Sequence, residues 1–194
     1  MSSDSVRSSA REAVLEHIFI GEVLKRLWRD DVHVEFMKPQ VDDSGYDLVL
    51  EANGFTRHIQ LKGTARGSKV ADWSIHIALG TKPSGCVLVM QFDQETLDLG
   101  PFLFYGGEPG AMLPSIDEFK VARHTKGNSR GEKTLRPQIR KLPRSRFQSM
   151  STIEDVIFAL FGITIPPLAV PVTSSSASTS ESKRPSALSP DVSR

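Results

Sequence analysis

The sequence predicts an α/β protein with a central mixed sheet flanked by helices, and three observations carry that prediction. Ser9-Ala10-Arg11-Glu12 opens an amphipathic helical pattern. Asn53-Gly54 joins two segments of alternating apolar residues. Cys86 to Phe92 is apolar at almost every position, as a strand covered on both faces must be. The hydrophobic period changes from 3.6 in the first segment to 2 in the second, which separates helix from strand.

Ser9 followed three residues later by Glu12 reads as a capping box. The spacing predicts a helix from Ser9 to Trp28 or Arg29, with residues 1–8 disordered ahead of it. At about 100° per residue, Arg11, Glu22, Lys25 and Arg26 gather on one side. Glu16 falls instead among Phe19, Ile20, Val23 and Leu27, on the side facing the body of the protein. A carboxylate among apolar neighbours is costly unless it meets a cation or hydrogen-bond donors. Glu16 therefore either pairs with a lysine at the boundary or belongs to a site. Glu22 reads as solvated.

Val32 to Met37 alternates as a strand, and Asp42-Asp43-Ser44-Gly45 is a turn. The hairpin strands follow at about 45–52 and 55–63. Asn-Gly between alternating apolar residues is the strongest short-range hairpin signal. A two-residue turn sets Ala52 opposite Phe55, Glu51 opposite Thr56, Val49 opposite His58, Leu48 opposite Ile59 and Asp47 opposite Gln60. Opposed residues share a face, and Lys62, two beyond Gln60, lies on that face too. An acid, an amide oxygen and a cation thus converge. Glu51 shares their face and His58 could touch a phosphate, but both read more simply as surface residues.

Thr64 to Lys69 is a polar, basic loop. Residues 72–80 carry both a strand pattern (Trp73, Ile75, Ile77, Leu79) and a helical turn (Ile75, Ala78, Leu79) capped by Asp72. After the break at Lys82–Gly85 come the apolar strand 86–92, a short strand Pro101–Tyr105 and the turn Gly106–Gly110. Gly127-Asn128-Ser129-Arg130-Gly131 predicts a flexible loop. Ser151-Thr152-Ile153-Glu154 is a second capping box, opening a helix Ile153–Phe161 that Gly162 ends. One domain over 9–165 is expected, then a disordered Ser/Pro-rich tail at 166–194.

The 194 residues allow one core with tails, and 24% charged with 39% hydrophobic residues is ordinary for a soluble globular protein. The single cysteine, Cys86, precludes an intrachain disulfide or a Cys-rich zinc site and reads as a small buried thiol. No apolar run approaches the ~20 residues of a membrane span, and the N-terminus lacks a signal-peptide core. A cytoplasmic protein without a membrane partner is expected. The net charge of +1 is unevenly spread. Between Lys120 and Arg146 ten basic residues face only Glu132, so this segment carries +9 and the remainder −8. Such density is the footprint of a phosphate-backbone reader. Lys126, Arg130, Lys133, Arg136 and Arg140 are the candidate nucleic-acid contacts, with His124 beside them; a solvated loop is the plain alternative.

Helix, strand, hairpin and apolar strand, with Glu16, Asp47 and Gln60-Leu61-Lys62 at these places, resembles the PD-(D/E)XK nuclease superfamily in a QxK variant. The likeness covers about residues 9–105. It implies a restriction-endonuclease-like fold and metal-dependent hydrolysis of DNA, in the manner of an endonuclease. By that resemblance Asp47 and Gln60 hold Mg²⁺ (or Mn²⁺) against the scissile phosphate, and Glu16 supplies a further ligand or a water relay. Lys62 orients the attacking water and offsets phosphate charge, and the Leu61 carbonyl is an additional ligand. Mg²⁺ prefers oxygen ligands and lowers the pKa of water that it binds. Tyr46 stands where the family has Pro. Gln60 is neutral where a carboxylate is commoner, so Glu16 would restore the missing charge.

The partner implied is nucleic acid, DNA ahead of RNA, with a homodimer as an open arrangement. Two rival readings stand beside this one: a catalytically inactive nuclease-fold module that grips nucleic acid through 120–146, and a protein-interaction domain. No Gly-rich phosphate loop, serine elbow or paired-His zinc spacing competes.

Overall fold

The computed structural model describes residues 3–40, 44–124 and 133–167. Its helix α1 runs Ser3–Arg29. The main sheet has six strands: β1 (Val34–Met37), β2 (Leu48–Ala52), β3 (Phe55–Ala65), β5 (Gly85–Phe92), β6 (Leu99–Gly106) and β9 (Gln148–Met150), in the order β1-β2-β3-β5-β6-β9. Only β3 and β5 run parallel; every other neighbouring pair is antiparallel, so the sheet is mixed as expected. A second, antiparallel sheet is built from β4 (Asp72–His76), β7 (Val121–Arg123) and β8 (Leu135–Pro143), in the order β4-β8-β7. Helix α2 spans Ile153–Phe161.

Alternation along β5 divides the core into two layers. Cys86, Leu88 and Met90 face α1 and α2, packing with Phe19, Val23, Leu27, Val156 and Leu160. Val87 and Val89 face the other way, against Trp73, Ile75 and Leu142 of the second sheet. Both helices therefore cover one face of the main sheet, and the small sheet covers the other. All eight residues of β5 are buried, which is why the segment shows no polar face in sequence.

Several boundaries differ from the sequence reading: β1 starts two residues later, β3 runs two further and β6 is longer at both ends, and three differences have a local cause. Helix α1 begins at Ser3, ahead of the Ser9 capping box, because nothing between Ser3 and Ser9 breaks a helix. Residues 72–80 satisfy both patterns in turn: β4 ends at His76, whose ring accepts the Ala78 N–H at 3.1 Å and so caps a 3-10 turn over Ile77–Thr81 in place of Asp72. The cap of α2 is Thr152 with Asp155 rather than Ser151 with Glu154. Asp155 accepts the N–H groups of Ser151 and Thr152, each at 3.0 Å. Glu154 is thereby left to take the Arg26 guanidinium at 2.7 Å, tying α2 to α1. Strands β7 and β8 lie in the described part of the basic stretch; Gly127–Gly131 and the Asp42-Asp43 turn lie outside the described residues, as does residue 168 onward.

Candidate active site on the open edge of β3

The hairpin register is the predicted one over the whole ladder: Ala52 opposite Phe55, Glu51 opposite Thr56, Val49 opposite His58, Leu48 opposite Ile59. Asn53 and Gly54 both have positive φ, the geometry of a type I′ turn. The ladder then stops. β2 begins at Leu48 while β3 continues to Ala65, so β3 has an open edge beyond Ile59.

Asp47 sits where the strands part. Its N–H donates to the Ile59 carbonyl at 2.9 Å, and its carboxylate accepts the Leu61 N–H at 2.7 Å. Asp47 is therefore aimed at the backbone between Gln60 and Lys62 rather than standing in the ladder as the cross-strand mate of Gln60. In an extended strand the N–H and C=O of one residue leave the same edge. The Leu61 carbonyl consequently projects from the edge that Asp47 caps.

Gln60 and Lys62 alternate with Ile59 and Leu61, which belong to the helix-side core. They face the second sheet. Gln60 is buried, and its amide oxygen has a long, 3.4 Å contact from the His76 N–H at the end of β4. Lys62 is half-buried and forms no ion pair among the described residues. Gly45, with φ 77°, brings the loop before Asp47 against the His76 ring; a Cβ there would lie 3.0 Å from His76 Cβ, so only glycine fits.

Glu16 arrives from the helix side. α1 crosses β3 closely at Gly63, where an added Cβ would come within 3.3 Å of Leu15 Cδ1. The next residue, Glu16, is 14% exposed and has Lys38 Nζ 2.5 Å from its Oε1. That contact lacks hydrogen-bond angles, and Glu16 Oε1 is buried without a hydrogen-bond partner. Lys38 follows Met37, which pairs with Val49. Lys38 thus lies toward the end of the sheet where Asp47 precedes β2.

The candidate donors are hard oxygens: the Asp47 carboxylate and Leu61 carbonyl at the strand edge, the Gln60 amide toward the second sheet and the Glu16 carboxylate on the helix side. Oxygen donors of this kind suit a hard divalent cation, and Glu16 Oε1 has the Lys38 ammonium against it at 2.5 Å. Among the described residues no group of three or more His, Cys, Asp or Glu is placed to hold a metal, so a site here would draw on the amide and the backbone. Burial pushes the Cys86 thiol up to about 12, against the opposing pull of Arg57, which makes it inert as a nucleophile.

Around this edge His58 donates from Nδ1 to the Pro83 carbonyl at 2.8 Å and meets Tyr46 edge-to-face at 4.9 Å. Glu51 accepts from the Thr56 hydroxyl at 2.9 Å, a strand-end contact. His76 and Lys38 are neighbours that sequence reading passed over. His76 carried no signal beyond its place in an ambiguous segment. Lys38 carried one: it is the lone lysine or arginine between Arg29 and Arg57.

The basic segment divides by use. Lys141 pairs with Asp72 at 2.9 Å, Arg146 with Glu118 at 3.4 Å, and Arg144 lies over the Trp73 ring at 6.0 Å. Arg140 is partly buried and donates to the Pro137 carbonyl at 2.6 Å. Lys120, Arg123, Lys133 and Arg136 are exposed, as is His124. Lys126 and Arg130 lie outside the described residues. No helix among the described residues is long and apolar enough to cross a membrane.

No family model matches the chain, and no curated protein does. A solved structure of a bacterial homing endonuclease, I-Ssp6803I, aligns with 60% of this chain and 82% of its own at 19% identity, with a TM-score of 0.25. Superposition that loose assigns no fold family and no activity to this chain.

Proposed function

We propose that the chain is a metal-dependent nuclease of the PD-(D/E)XK kind that hydrolyses DNA. The observation that carries this reading is the 2.7 Å bond from the Leu61 N–H to the Asp47 carboxylate, on the open edge of β3 between Gln60 and Lys62. Asp47, Gln60, the Leu61 carbonyl and Glu16 would hold Mg²⁺ or Mn²⁺. A bound divalent cation supplies a water of lowered pKa and stabilises charge on phosphate oxygens. Lys62, with no competing ion pair among the described residues, is available to orient the attacking water and to offset charge developing on the phosphate. Asp47 holds the strand edge in register while presenting a negative group to that position. The exposed Lys133 and Arg136, with Lys126 and Arg130 of the same segment and the partly engaged Arg140, would track the phosphate backbone. The second sheet, which carries this basic segment, covers the face toward which Gln60 and Lys62 point.

The test is incubation of the purified protein with plasmid, linear duplex and single-stranded RNA in Mg²⁺ or Mn²⁺, beside Asp47→Ala and Lys62→Ala. The expected result is metal-dependent DNA cleavage by the wild-type chain, reduced at least ~100-fold in each variant. Cleavage that persists in both variants, or that never appears in any metal, refutes the reading.

One observation favours a second reading, a non-cleaving module that binds nucleic acid. Gln60 is an amide, and its oxygen already has a backbone N–H, at 3.4 Å. Salt-dependent binding without cleavage in any divalent metal would establish that alternative.

A further inference from the structure

We infer that Lys38 is a positioning residue that holds Glu16 in reserve for a divalent cation and competes with the cation for it. The inference deepens the nuclease reading and rests on it. Glu16 is 14% exposed, on a helix that crosses β3 closely at Gly63, so its carboxylate is held largely out of water. Lys38 lies just past the end of β1, is 47% exposed, and sits 2.5 Å away. Its ammonium is on a flexible stem and can swing into solvent at small cost. Glu16 Oε1 has no hydrogen bond, so the lysine charge is what offsets the carboxylate in the metal-free chain. A divalent cation engaging Glu16 must displace that charge. Without Lys38, Glu16 would be a buried anion lacking its counter-charge in the metal-free chain, and binding of the cation would relieve it.

Two effects of opposite sign follow. Lys38→Gln should lower the melting temperature of the metal-free protein. It should also tighten Mn²⁺ binding, by about tenfold, and enlarge the rise in melting temperature that Mn²⁺ produces. A purely structural ion pair would give the first effect without the second. The experiment is calorimetric titration of the full chain with Mn²⁺ alone, together with melting curves with and without the ion. The chains compared are wild type, Lys38→Gln, Lys38→Arg, Glu16→Gln and the Glu16→Gln/Lys38→Gln double variant. Support consists of tighter binding by Lys38→Gln, binding no tighter than wild type by Lys38→Arg, and a double variant that matches Glu16→Gln. Equal affinities for wild type and Lys38→Gln overturn the latch and leave the metal reading standing. A gain that survives in the double variant also overturns it, because the gain then does not pass through Glu16. Absence of Mn²⁺ binding in wild type and Lys38→Gln alike overturns the latch and the metal reading together. Lys38→Arg keeps the charge, so it decides the question even if Lys38→Gln folds poorly: tighter binding by that variant contradicts the competition.

Discussion

Arg57 is the one fully buried cation of the described residues, and no carboxylate meets it. Its guanidinium donates to the Leu160 carbonyl at 2.8 Å, the Gly107 carbonyl at 2.9 Å, the Ser84 hydroxyl at 3.0 Å and the Ala159 carbonyl. Two of these carbonyls belong to the last turn of α2, where the helix dipole is negative and carbonyls lack intrahelical partners. Burial lowers the Arg57 pKa, with Cys86 and Glu108 opposing the shift, but an arginine stays charged at neutral pH. Replacing it by Met should leave these acceptors unsatisfied and cost roughly 3 kcal/mol, measured by urea unfolding. A loss under about 1 kcal/mol would mean the bonds contribute little. The sequence carried part of this: Arg57 shares parity with Ile59 and Leu61, so it had to point inward, by the logic that singled out Glu16. Its partners were not legible, because they stand far along the chain on α2 and on the turn after β6. The face of Lys62 was legible for a local reason, since alternation along β3 fixes it; the predicted opposition of Asp47 and Gln60 was not realised, because the ladder ends at Leu48 and Asp47 turns its carboxylate to the Leu61 N–H. Lys38 was legible only in part: a lysine partner for Glu16 was one of the two expected outcomes, but which lysine depends on how α1 packs against the end of β1.

At the scale of elements, the hairpin is the part most strictly determined by local chemistry. Asn53 and Gly54 take φ of 52° and 75°, and nothing lies within 4 Å of a Cβ added at Gly54. A Gly54→Ala substitution should therefore cost only the backbone term for a left-handed residue, roughly 1–2 kcal/mol, visible as a lowered urea midpoint at unchanged m-value. No change in midpoint would contradict the turn type. The hairpin register and α2 were readable because their determinants are adjacent in sequence. The second sheet was not. Its strands β4 and β8 are distant in the chain, and β8 is dense in Arg, Lys and Pro. Pro137 falls where the β7–β8 register shifts between Val121 and Ala122, an irregularity that accommodates a residue without an N–H. Charge masked the strand and marked the segment as a loop.

For the whole molecule the consequence is a division of labour between the two faces of the main sheet. The helix face holds the larger core and brings Glu16 from α1. The opposite face carries Gln60 and Lys62 and is covered by the small sheet with the basic strands. Lys133 and Arg136 are exposed and engage no carboxylate among the described residues, so a phosphate backbone would meet them first. In EDTA, Lys133→Ala/Arg136→Ala should weaken binding to duplex DNA across sequences and reduce the slope of log K against log[salt] by roughly two. An unchanged slope would remove these residues from the interface.

The most direct measurement is the rate of plasmid cleavage in Mg²⁺ by the wild-type chain and by Asp47→Asn. The asparagine oxygen can still accept the Leu61 N–H, so the edge of β3 keeps its geometry while the negative charge is lost. The expected result is a folded variant, with the wild-type melting temperature nearly retained, that cleaves at least ~100-fold more slowly. Cleavage by Asp47→Asn at the wild-type rate would contradict a catalytic centre at this edge.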